Sequence, residues 1–370
     1  MILFSAILIT IYIIAILWLL TGLLTNKWLK TSKVGSENIH GISVVVAFRN
    51  ERENLPKLIA SLEAQDLPHE HWEAILIDDG STDNGPNLVM ASQNQLPLKP
   101  LVLPNGQAGK KQALLLGISQ ARYDTVVFTD ADCIHTPQWL SSIVESMGNA
   151  DFFQGEVKPQ FERGSILSMF EALDYLSLMA VSAASFAVGK PVIASSANLA
   201  FRRSKVSVDG KILRTDIASG DDMFLLHHAK SIHGLRFKFL ASPQVAVHTS
   251  FSGGIKGFIS RRSRWASKAK AYTDSLTLLL SILVFTMNLW IVFSAILSVL
   301  GVVTFTLPIT LVAAKTLVDF PFMAYYLFKT KQQNLLVVFI PLQMVYPFYV
   351  TIAAILGLIK GTTWKERTNS

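Results

Sequence analysis

The chain has 370 residues, of which 51% are hydrophobic, and a formal net charge of +7. Its single cysteine, Cys133, excludes an intramolecular disulfide and a zinc site built from cysteines. A positive net charge suits nucleic acid or an anionic membrane surface. Because the hydrophobic residues are concentrated in long uncharged runs, we assign the charge to a membrane surface and expect no nucleic-acid partner.

Three uncharged runs predict helices that cross a membrane, for which roughly 20 apolar residues are needed. The first run covers residues 1–26. The second begins at 275–314 and continues as a largely apolar segment, so we predict two spans with a turn near 301–308. The third, 335–359, contains two prolines and is predicted either as a further span or as a re-entrant or interfacial segment. The prediction is one N-terminal and two or three C-terminal transmembrane helices.

The charges that flank these runs predict the topology. Lysines lie beside the runs at Lys27, Lys30, Lys33, Lys268, Lys270, Lys329 and Lys331. Positive flanks stay on the cytoplasmic side, so the N-terminus should face out and residues 27–274 should be cytoplasmic. A further span would place the basic tail, 360–370, outside, against this rule. The topology of the tail therefore stays open. The first run lacks a basic leader and a cleavage site, so it is not predicted as a signal peptide. We expect a multi-pass integral membrane protein, and its size and lack of retention signals favour a bacterial inner membrane.

Strands and helices are predicted to alternate within 27–274. Residues 42–48 (ISVVVAF) form a continuous apolar run rich in β-branched residues, which is typical of a strand buried on both faces. Further strands are predicted at 72–77 and 125–129, with a helix at 109–121 between them. This rhythm predicts an α/β domain with a doubly wound, mostly parallel sheet. Ligands bind at the carboxyl ends of the strands in such sheets, and all three strands end in polar or acidic residues.

Asp130 and Asp132 come directly after the third predicted strand. Two carboxylates one residue apart at a strand end can share a hard cation, Mg²⁺ or Mn²⁺, with a diphosphate. Such triplets also occur in ordinary solvated loops, but the position after a buried strand favours a metal site. His248, which follows a later apolar segment, is a candidate third ligand.

Asp78 and Asp79 follow the second predicted strand in the segment DDGSTDN. One interpretation is an Asx-type turn that caps a helix, and the other is a carboxylate that accepts hydrogen bonds from a base or ribose. Both can hold, with one aspartate for each. Lys110 opens the helix after Gly109, where it suits either an anionic ligand or a solvated helix start.

Asp221 and Asp222 precede the apolar run MFLL. They either cap the following helix or supply a general base that reaches an acceptor hydroxyl. Two adjacent carboxylates push the pKa of one of them upward, which helps a base to act near neutral pH.

Two segments are predicted to lie against the membrane, near 165–188 and 255–272. The second interleaves aromatic and basic residues, which is the composition of an interfacial helix or of a juxtamembrane basic collar. It contains Arg261, Arg264 and Trp265. Planar guanidinium groups can grip a diphosphate, and an indole offers a flat surface to a sugar or lipid.

Taken in order, these segments resemble the family 2 glycosyltransferases. The matching motifs are SVVVAFRNE, DDGSTD, GKKQAL, TDAD, SANLAFRR, GDDMFLL and RRSRW, from about Ile42 to Trp265. The resemblance implies a GT-A fold, a UDP-sugar or related donor, and a Mn²⁺ or Mg²⁺ ion. It also implies site residues: Ala47, Arg49, Glu51, Asp79, Lys110 and Arg261 toward the donor, and Asp130 with Asp132 toward the metal and diphosphate.

The resemblance implies direct displacement with inversion, in which Asp222 is the catalytic base. Asp221 stands where the family usually has Glu, which is a mild departure. Arg264 and the metal would offset charge on the departing diphosphate. Arg261, where Gln is the other option in the (Gln/Arg)-x-x-Arg-Trp motif, resembles ceramide glucosyltransferases and lipid-modifying members more than cellulose synthases. The segment ASSA at 194–197 replaces the Phe-Phe-Cys-Gly segment of cellulose synthases.

We therefore predict an inverting glycosyltransferase that moves a sugar from a nucleotide sugar to a lipid or other membrane-associated glycan acceptor. A processive polysaccharide synthase is the nearest alternative, disfavoured by the few spans and the missing cellulose-synthase segment. A transporter or scaffold with a degenerate nucleotide-binding domain is a distant one. Lys315 and Asp319, one turn apart in a predicted span, mark either a polar pathway or simple mutual neutralisation.

Overall fold

The computed structural model describes residues 1–26, 41–251, 254–359, 363–364 and 367–368. The predictions that rest on Lys27, Lys30 and Lys33, and on most of the tail, lie outside the described residues. The chain forms two compact units, which we call the helical unit and the sheet unit. The helical unit comprises Met1–Asn26, Phe161–Val192 and Phe251–Gly361, and the sheet unit comprises Lys27–Gln160, Ile193–Ser250 and Thr362–Ser370.

The strands and helices alternate along the sheet unit. The strands are β1 (Ile42–Phe48), β2 (Trp72–Asp78), β3 (Leu98–Val102), β4 (Thr125–Phe128), β5 (Cys133–His135), β6 (Phe152–Gly155), β7 (Val157–Gln160), β8 (Leu199–Arg202), β9 (Phe237–Leu240), β10 (Val247–Ser250), β11 (Thr363–Trp364) and β12 (Arg367–Thr368). The helices of this unit are α2 (Leu55–Glu63), α3 (Gly85–Ser92), α4 (Lys110–Gln120), α5 (Trp139–Met147) and α7 (Asp221–Ser231).

The main sheet has seven strands in the order β3-β2-β1-β4-β8-β6-β9. The neighbours β3, β2, β1 and β4 run parallel, as do β6 and β9, whereas β8 is antiparallel to both of its neighbours. All seven residues of β1 are buried, as expected for a mostly apolar strand at the centre of the sheet. The predicted α/β class and mostly parallel sheet are confirmed.

The register of this sheet gathers the predicted polar strand ends at one edge. Val45 of β1 pairs with Ile75 of β2 and with Phe128 of β4, and the three strands run in the same direction. The residues that follow each strand therefore emerge on the same side. A second sheet of three strands, β5-β10-β7, was not predicted; β10 is antiparallel to β5 and parallel to β7.

The helical unit is built from long apolar helices. They are α1 (Ile2–Thr25), α6 (Ile166–Ala187), α9 (Ser275–Val299), α10 (Thr306–Lys329) and α11 (Phe339–Ile359), together with the shorter basic helix α8 (Gly254–Ser267). Among the described residues, five helical segments are long and apolar enough to cross a membrane, the last one running from Gln333 to Ile359. The predicted N-terminal helix, the two following spans and the turn between them are confirmed.

Helix α6 meets the same criterion of length and apolarity, although this segment was predicted as interfacial. Its apolar window is 61% buried within the protein, against 28% for α1 and for α9. Helix α6 is therefore a core helix of its unit. Its position relative to a membrane surface stays a prediction, as does that of α8.

Lys315 and Asp319 form a buried ion pair within α10. The Lys315 Nζ lies 2.6 Å from Asp319 Oδ2 and 2.9 Å from the Oε1 of Gln343 on α11. The hydroxyl of Tyr12 on α1 donates to Asp319 Oδ1 at 2.9 Å. Because each charged group has its counter-charge and a further hydrogen bond, the pair shows the mutual neutralisation that was one of its two predicted interpretations.

Candidate active site

The loop after β2 is fastened to the loop after β1. The Asp78 carboxylate accepts hydrogen bonds from the main-chain N–H of Ser81 at 2.9 Å and from its hydroxyl at 2.6 Å. Asn50, whose φ is 52°, accepts from the N–H of Thr82 through its side chain. Asp78 therefore has the turn function that was predicted for one of the two aspartates.

Asp79 holds the start of helix α4. This residue is 1% exposed, and its Oδ1 accepts a hydrogen bond from the N–H of Gly109 at 2.8 Å. Gly109 is the N-cap of α4 with φ 101° and ψ 152°, a conformation that glycine adopts without strain. The aspartate thus determines where the helix begins and, with it, where the side chain of the next residue lies.

That next residue, Lys110, joins three elements at the carboxyl edge of the sheet. Its Nζ lies 2.7 Å from Asp130 Oδ1, 3.3 Å from Asp221 Oδ2 and 2.8 Å from the Oγ of Ser196. Burial by itself lowers the pKa of Lys110, but the neighbouring carboxylates, Asp130 first, outweigh it and raise this pKa well above its ordinary value. The lysine is a permanent cation between the loop after β4 and the start of α7.

Asp130 and Asp132 offer oxygen ligands at this edge. Their ligand atoms and the Cys133 sulfur lie within 4.8 Å of one another. Burial, followed by the charges of Asp130 and Glu51, raises the pKa of Asp132 to about 6, and the nearby Lys110 cation offsets only part of this rise. Burial also raises the pKa of the Cys133 thiol, so the two carboxylates are the donors that fit a hard cation such as Mg²⁺ or Mn²⁺.

Asp221 and Asp222 form the first turn of α7, after Gly220 in the left-handed conformation with φ 95°. A helix N-terminus stabilises carboxylates because the N–H groups there point at them. Asp222 Oδ1 accepts from the N–H of Met223 at 2.8 Å. Asp221 is buried and paired with Lys110, whereas Asp222 is partly exposed.

The predicted donor-side residues of β1 lie at and beyond its carboxyl end. Ala47 is buried within the strand, and Glu51 accepts from the side chain of Asn54 at 2.6 Å. The Nε and Nη1 of Arg49 are shielded from solvent and have no hydrogen-bond partner among the described residues. Shielded guanidinium nitrogens require an acceptor, and an anionic ligand would supply one.

His248 lies on β10, opposite Ile134 of β5 and Lys158 of β7. Burial, and then the Lys158 charge, lowers the pKa of its imidazole, which favours the neutral form that binds metals. It is not a member of the ligand group formed by Asp130, Asp132 and Cys133. Its assignment as a third ligand stays a prediction.

Arg261, Arg264 and Trp265 belong to the helical unit, on α8. The Arg261 Nη2 lies 2.8 Å from Glu171 Oε1, and the Trp265 ring lies 5.9 Å from that of Tyr175. Arg264 has no ion-pair partner among the described residues. Their predicted contacts with the donor stay predictions.

Sequence reasoning missed Ser196 and Asn198 as parts of this region. Ser196 contacts Lys110, and the fully buried Asn198 accepts from Trp139 Nε1 at 3.0 Å and donates to the carbonyls of Glu156 and Val245 at 2.9 and 2.8 Å. Both lie in the motif SANLAFRR, which was used only for the family resemblance. The only available signal was the polar residues Ser196 and Asn198 directly before a buried strand, which does not reveal their partners.

Comparisons with known proteins agree with this geometry. The family model "Glycosyl transferase family 2" matches residues 43–169, and "Glycosyl transferase family group 2" matches residues 125–317. Undecaprenyl-phosphate 4-deoxy-4-formamido-L-arabinose transferase of Shewanella sediminis is 32% identical over 111 residues, which are 30% of this chain and 34% of that protein. Its counterpart from Pectobacterium carotovorum is 37% identical over 112 residues, 30% and 34% of the two chains.

This chain thus spans about a third of the length of the curated relatives that it matches. Among solved structures, the mannosyltransferase PcManGT from Pyrobaculum calidifontis, in complex with GDP-Man and Mn²⁺, is 18% identical with a TM-score of 0.51. The likeness covers 92% of this chain and 98% of that one. It confirms the predicted GT-A fold.

Proposed function

The chain belongs to glycosyl transferase family 2, and from this premise we propose that it moves a sugar from a nucleotide sugar to a lipid acceptor in a membrane, with inversion. The observation that supports this proposal most is the ion-pair cluster at the sheet edge. Lys110 binds a carboxylate from the proposed metal pair and one from the proposed base pair, so residues from three distant segments meet around one cation.

The two carboxylates after β4 fit a divalent ion, which Asp132 and Asp130 would hold. When bound, Mn²⁺ or Mg²⁺ offsets the negative charge that grows on the diphosphate leaving group. Arg49 would supply its shielded guanidinium to an anionic part of the donor. We propose that Asp79 contacts the nucleotide and also positions the start of α4. One of its oxygens already accepts the N–H of Gly109.

Asp222 is the proposed base. Asp221 is committed to Lys110, so the partly exposed Asp222 is the carboxylate of the pair that suits proton transfer from an acceptor hydroxyl. The curated relatives are named for undecaprenyl phosphate, and a phosphate oxygen is already ionised at neutral pH. A lipid-phosphate acceptor would therefore depend far less on Asp222 than a lipid alcohol would.

The test is to incubate the purified full chain in detergent with Mn²⁺, a panel of UDP- and GDP-sugars, and either a polyprenyl phosphate or a lipid alcohol. We expect one donor to be consumed and one lipid class to gain the mass of a sugar. Asp132→Asn should abolish transfer, whereas Asp216→Asn, at an exposed aspartate paired with Arg214, should not. The proposal fails if no donor is consumed or if both variants behave alike. The length of the product separates single transfer from polymerisation.

We also propose that the sheet unit is cytoplasmic and that the membrane is a bacterial inner membrane. Cys133 is buried, so a cysteine placed at the exposed Asn94 can be labelled selectively. Asn94→Cys should react with an impermeant thiol reagent only after spheroplasts are lysed. Labelling of intact spheroplasts would contradict this orientation.

A further inference from the structure

The basic helix α8 carries three arginines, Arg261, Arg262 and Arg264, which differ in their partners. Arg261 pairs with Glu171, and Arg262 pairs with Asp174. Arg264 has no carboxylate within ion-pair distance among the described residues. The difference arises from the helix against which α8 packs.

Glu171 and Asp174 are the two charged residues of helix α6, which is otherwise uncharged. They lie one turn apart, and their side chains are 8% and 2% exposed. Glu171 Oε1 meets Arg261 Nη2 at 2.8 Å, while Asp174 receives Arg262 and the hydroxyl of Tyr349 on α11. Arg262 Nη2 also donates to the Asp174 carbonyl at 3.3 Å. We call these four charged residues the α6–α8 clamp.

The clamp fixes α8 both along and around its axis, because two adjacent arginines of α8 pair with two carboxylates that lie one turn apart on α6, which permits one register. Helix α11 holds α8 from another side. A Cβ on Gly357 would come within 2.5 Å of the Ser263 carbonyl oxygen, and Lys270 Nζ donates to the Leu358 carbonyl at 2.7 Å. The close approach at Gly357 leaves α8 little room to shift.

Buried ion pairs between two helices contribute little net stability. Desolvation of both charges offsets most of their attraction, and apolar residues of similar size usually stabilise as well or better. What ion pairs add is a defined register, which apolar contacts specify weakly. Two such pairs at one helix therefore indicate that the position of α8 matters more than the strength of its attachment.

We propose that Glu171 and Asp174 are positioning residues for sugar transfer: they take up the charges of Arg261 and Arg262, fix α8, and leave Arg264 as the arginine that meets an anionic group of the substrate. The inference rests on the proposed function. It gives Arg261 a positioning function in place of the direct grip on the diphosphate that the sequence motif implied. Trp265, next to Arg264 and packed near Tyr175, is held by the same arrangement.

The main experiment is a charge exchange between Glu171 and Arg261. Glu171→Gln and Arg261→Glu alone should each lower kcat by roughly 10²-fold, since a misplaced group costs about that much. The affinity for Mn²⁺, measured without donor, should not change. The double variant Glu171→Arg with Arg261→Glu rebuilds the pair and should recover most of the lost turnover. Glu162→Gln, at an exposed carboxylate just before α6, is the matched control and should behave as the wild type.

A second pair of variants covers the case in which the exchanged protein does not fold. A lysine can satisfy the hydrogen bond to Glu171 Oε1, but it lacks the fork that suits a diphosphate. Arg261→Lys should therefore retain most of the transfer activity, whereas Arg264→Lys should lose it. Equal losses in these two variants, or a folded exchange variant as inactive as Arg261→Glu, would overturn the proposal because Arg261 would then contact substrate itself.

Hydrogen exchange provides a readout that does not depend on activity. The main-chain amides of α8 should exchange faster in Glu171→Gln than in the wild type, and at the wild-type rate in the exchange variant. If the wild type consumes no nucleotide sugar, the proposed function fails while this measurement still tests the clamp. If the wild type is active and the α8 amides are unaffected by Glu171→Gln, the clamp is refuted and the function stands.

Discussion

Replacing Lys110 by methionine is the most direct test of the cluster at the sheet edge. The change keeps the length of the side chain and removes its charge, together with contacts to Asp130, Asp221 and Ser196 at 2.7, 3.3 and 2.8 Å. Two carboxylates that now share one cation would be left facing each other. The variant should therefore lose both stability and turnover.

The size of the effect follows from the exposure of the two carboxylates. Removing one partner of a buried pair costs about 3–5 kcal/mol, because the other charge stays buried without compensation. The Asp221 side chain is 8% exposed and bears this cost, whereas that of Asp130 is 34% exposed and is screened by water. We expect a loss of about 3 kcal/mol in the free energy of unfolding and a fall in turnover of roughly 10²-fold.

The assay is thermal unfolding of the purified chain in detergent, followed by donor consumption with Mn²⁺. The double variant Lys110→Met with Asp221→Asn removes the buried charge of Asp221 and should regain about 1–3 kcal/mol. Lys99→Met is the control. Lys99, on β3, contacts Gln120 at the C-terminal end of α4, whereas Lys110 is at the start of that helix. Wild-type stability in Lys110→Met, or no recovery in the double variant, would refute the electrostatic reasoning.

Three further predictions concern single residues of the sheet unit. Asp222→Asn should leave the dissociation constant for the donor unchanged and lower turnover by roughly 10²-fold or more with a lipid alcohol; unchanged transfer to that acceptor would remove Asp222 from the base function. His135 lies between the hydroxyls of Ser61 and Thr129, and burial lowers its pKa from 6.5 to about 3. As pH falls below 6.5, His135 is protonated in the unfolded chain but not in the folded one, so the free energy of unfolding decreases. The wild type should lose about 2 kcal/mol more than His135→Gln between pH 7 and pH 5. Parallel pH profiles of the two proteins in denaturant titrations would contradict this. The Cβ added by Gly109→Ala would meet no atom within 4 Å, so this substitution strains only the backbone. It should lower the free energy of unfolding by about 1–3 kcal/mol and lower turnover by displacing Lys110. Gly210→Ala, at a glycine without positive φ, should have neither effect.

The parallel half of the sheet could be predicted because its signals are local. The strands β1, β2 and β4 are mostly apolar runs followed by polar or acidic residues, and parallel strands bring those ends together. Short strands carry no such signal. The strands β5, β7 and β10 have three or four residues each, too few for an alternation that a sequence pattern can identify.

The α6–α8 clamp shows a second limit. Glu171 and Arg261 are separated by 90 positions along the chain, and neither residue is unusual in its own segment. The few charges of α6 favoured a helix on the membrane surface, whereas in the structure they are buried against arginines. Ser196 was missed for the same reason, since a serine becomes informative only when its lysine partner is known.

The buried pair of α10 has a consequence for how the chain matures. Asp319 accepts a hydrogen bond from Tyr12, so helix α1 supplies a partner to a helix that is made about 300 residues after it. Helix α10 is also much less hydrophobic than α1, with mean hydropathies of 1.4 and 2.7 in their apolar windows. Its retention in a bilayer thus gains from a neighbour that is already in place. An unrelated apolar segment grafted in place of α1 would still tether the enzyme, yet Asp319 of α10 would lose the hydrogen bond from Tyr12 during assembly.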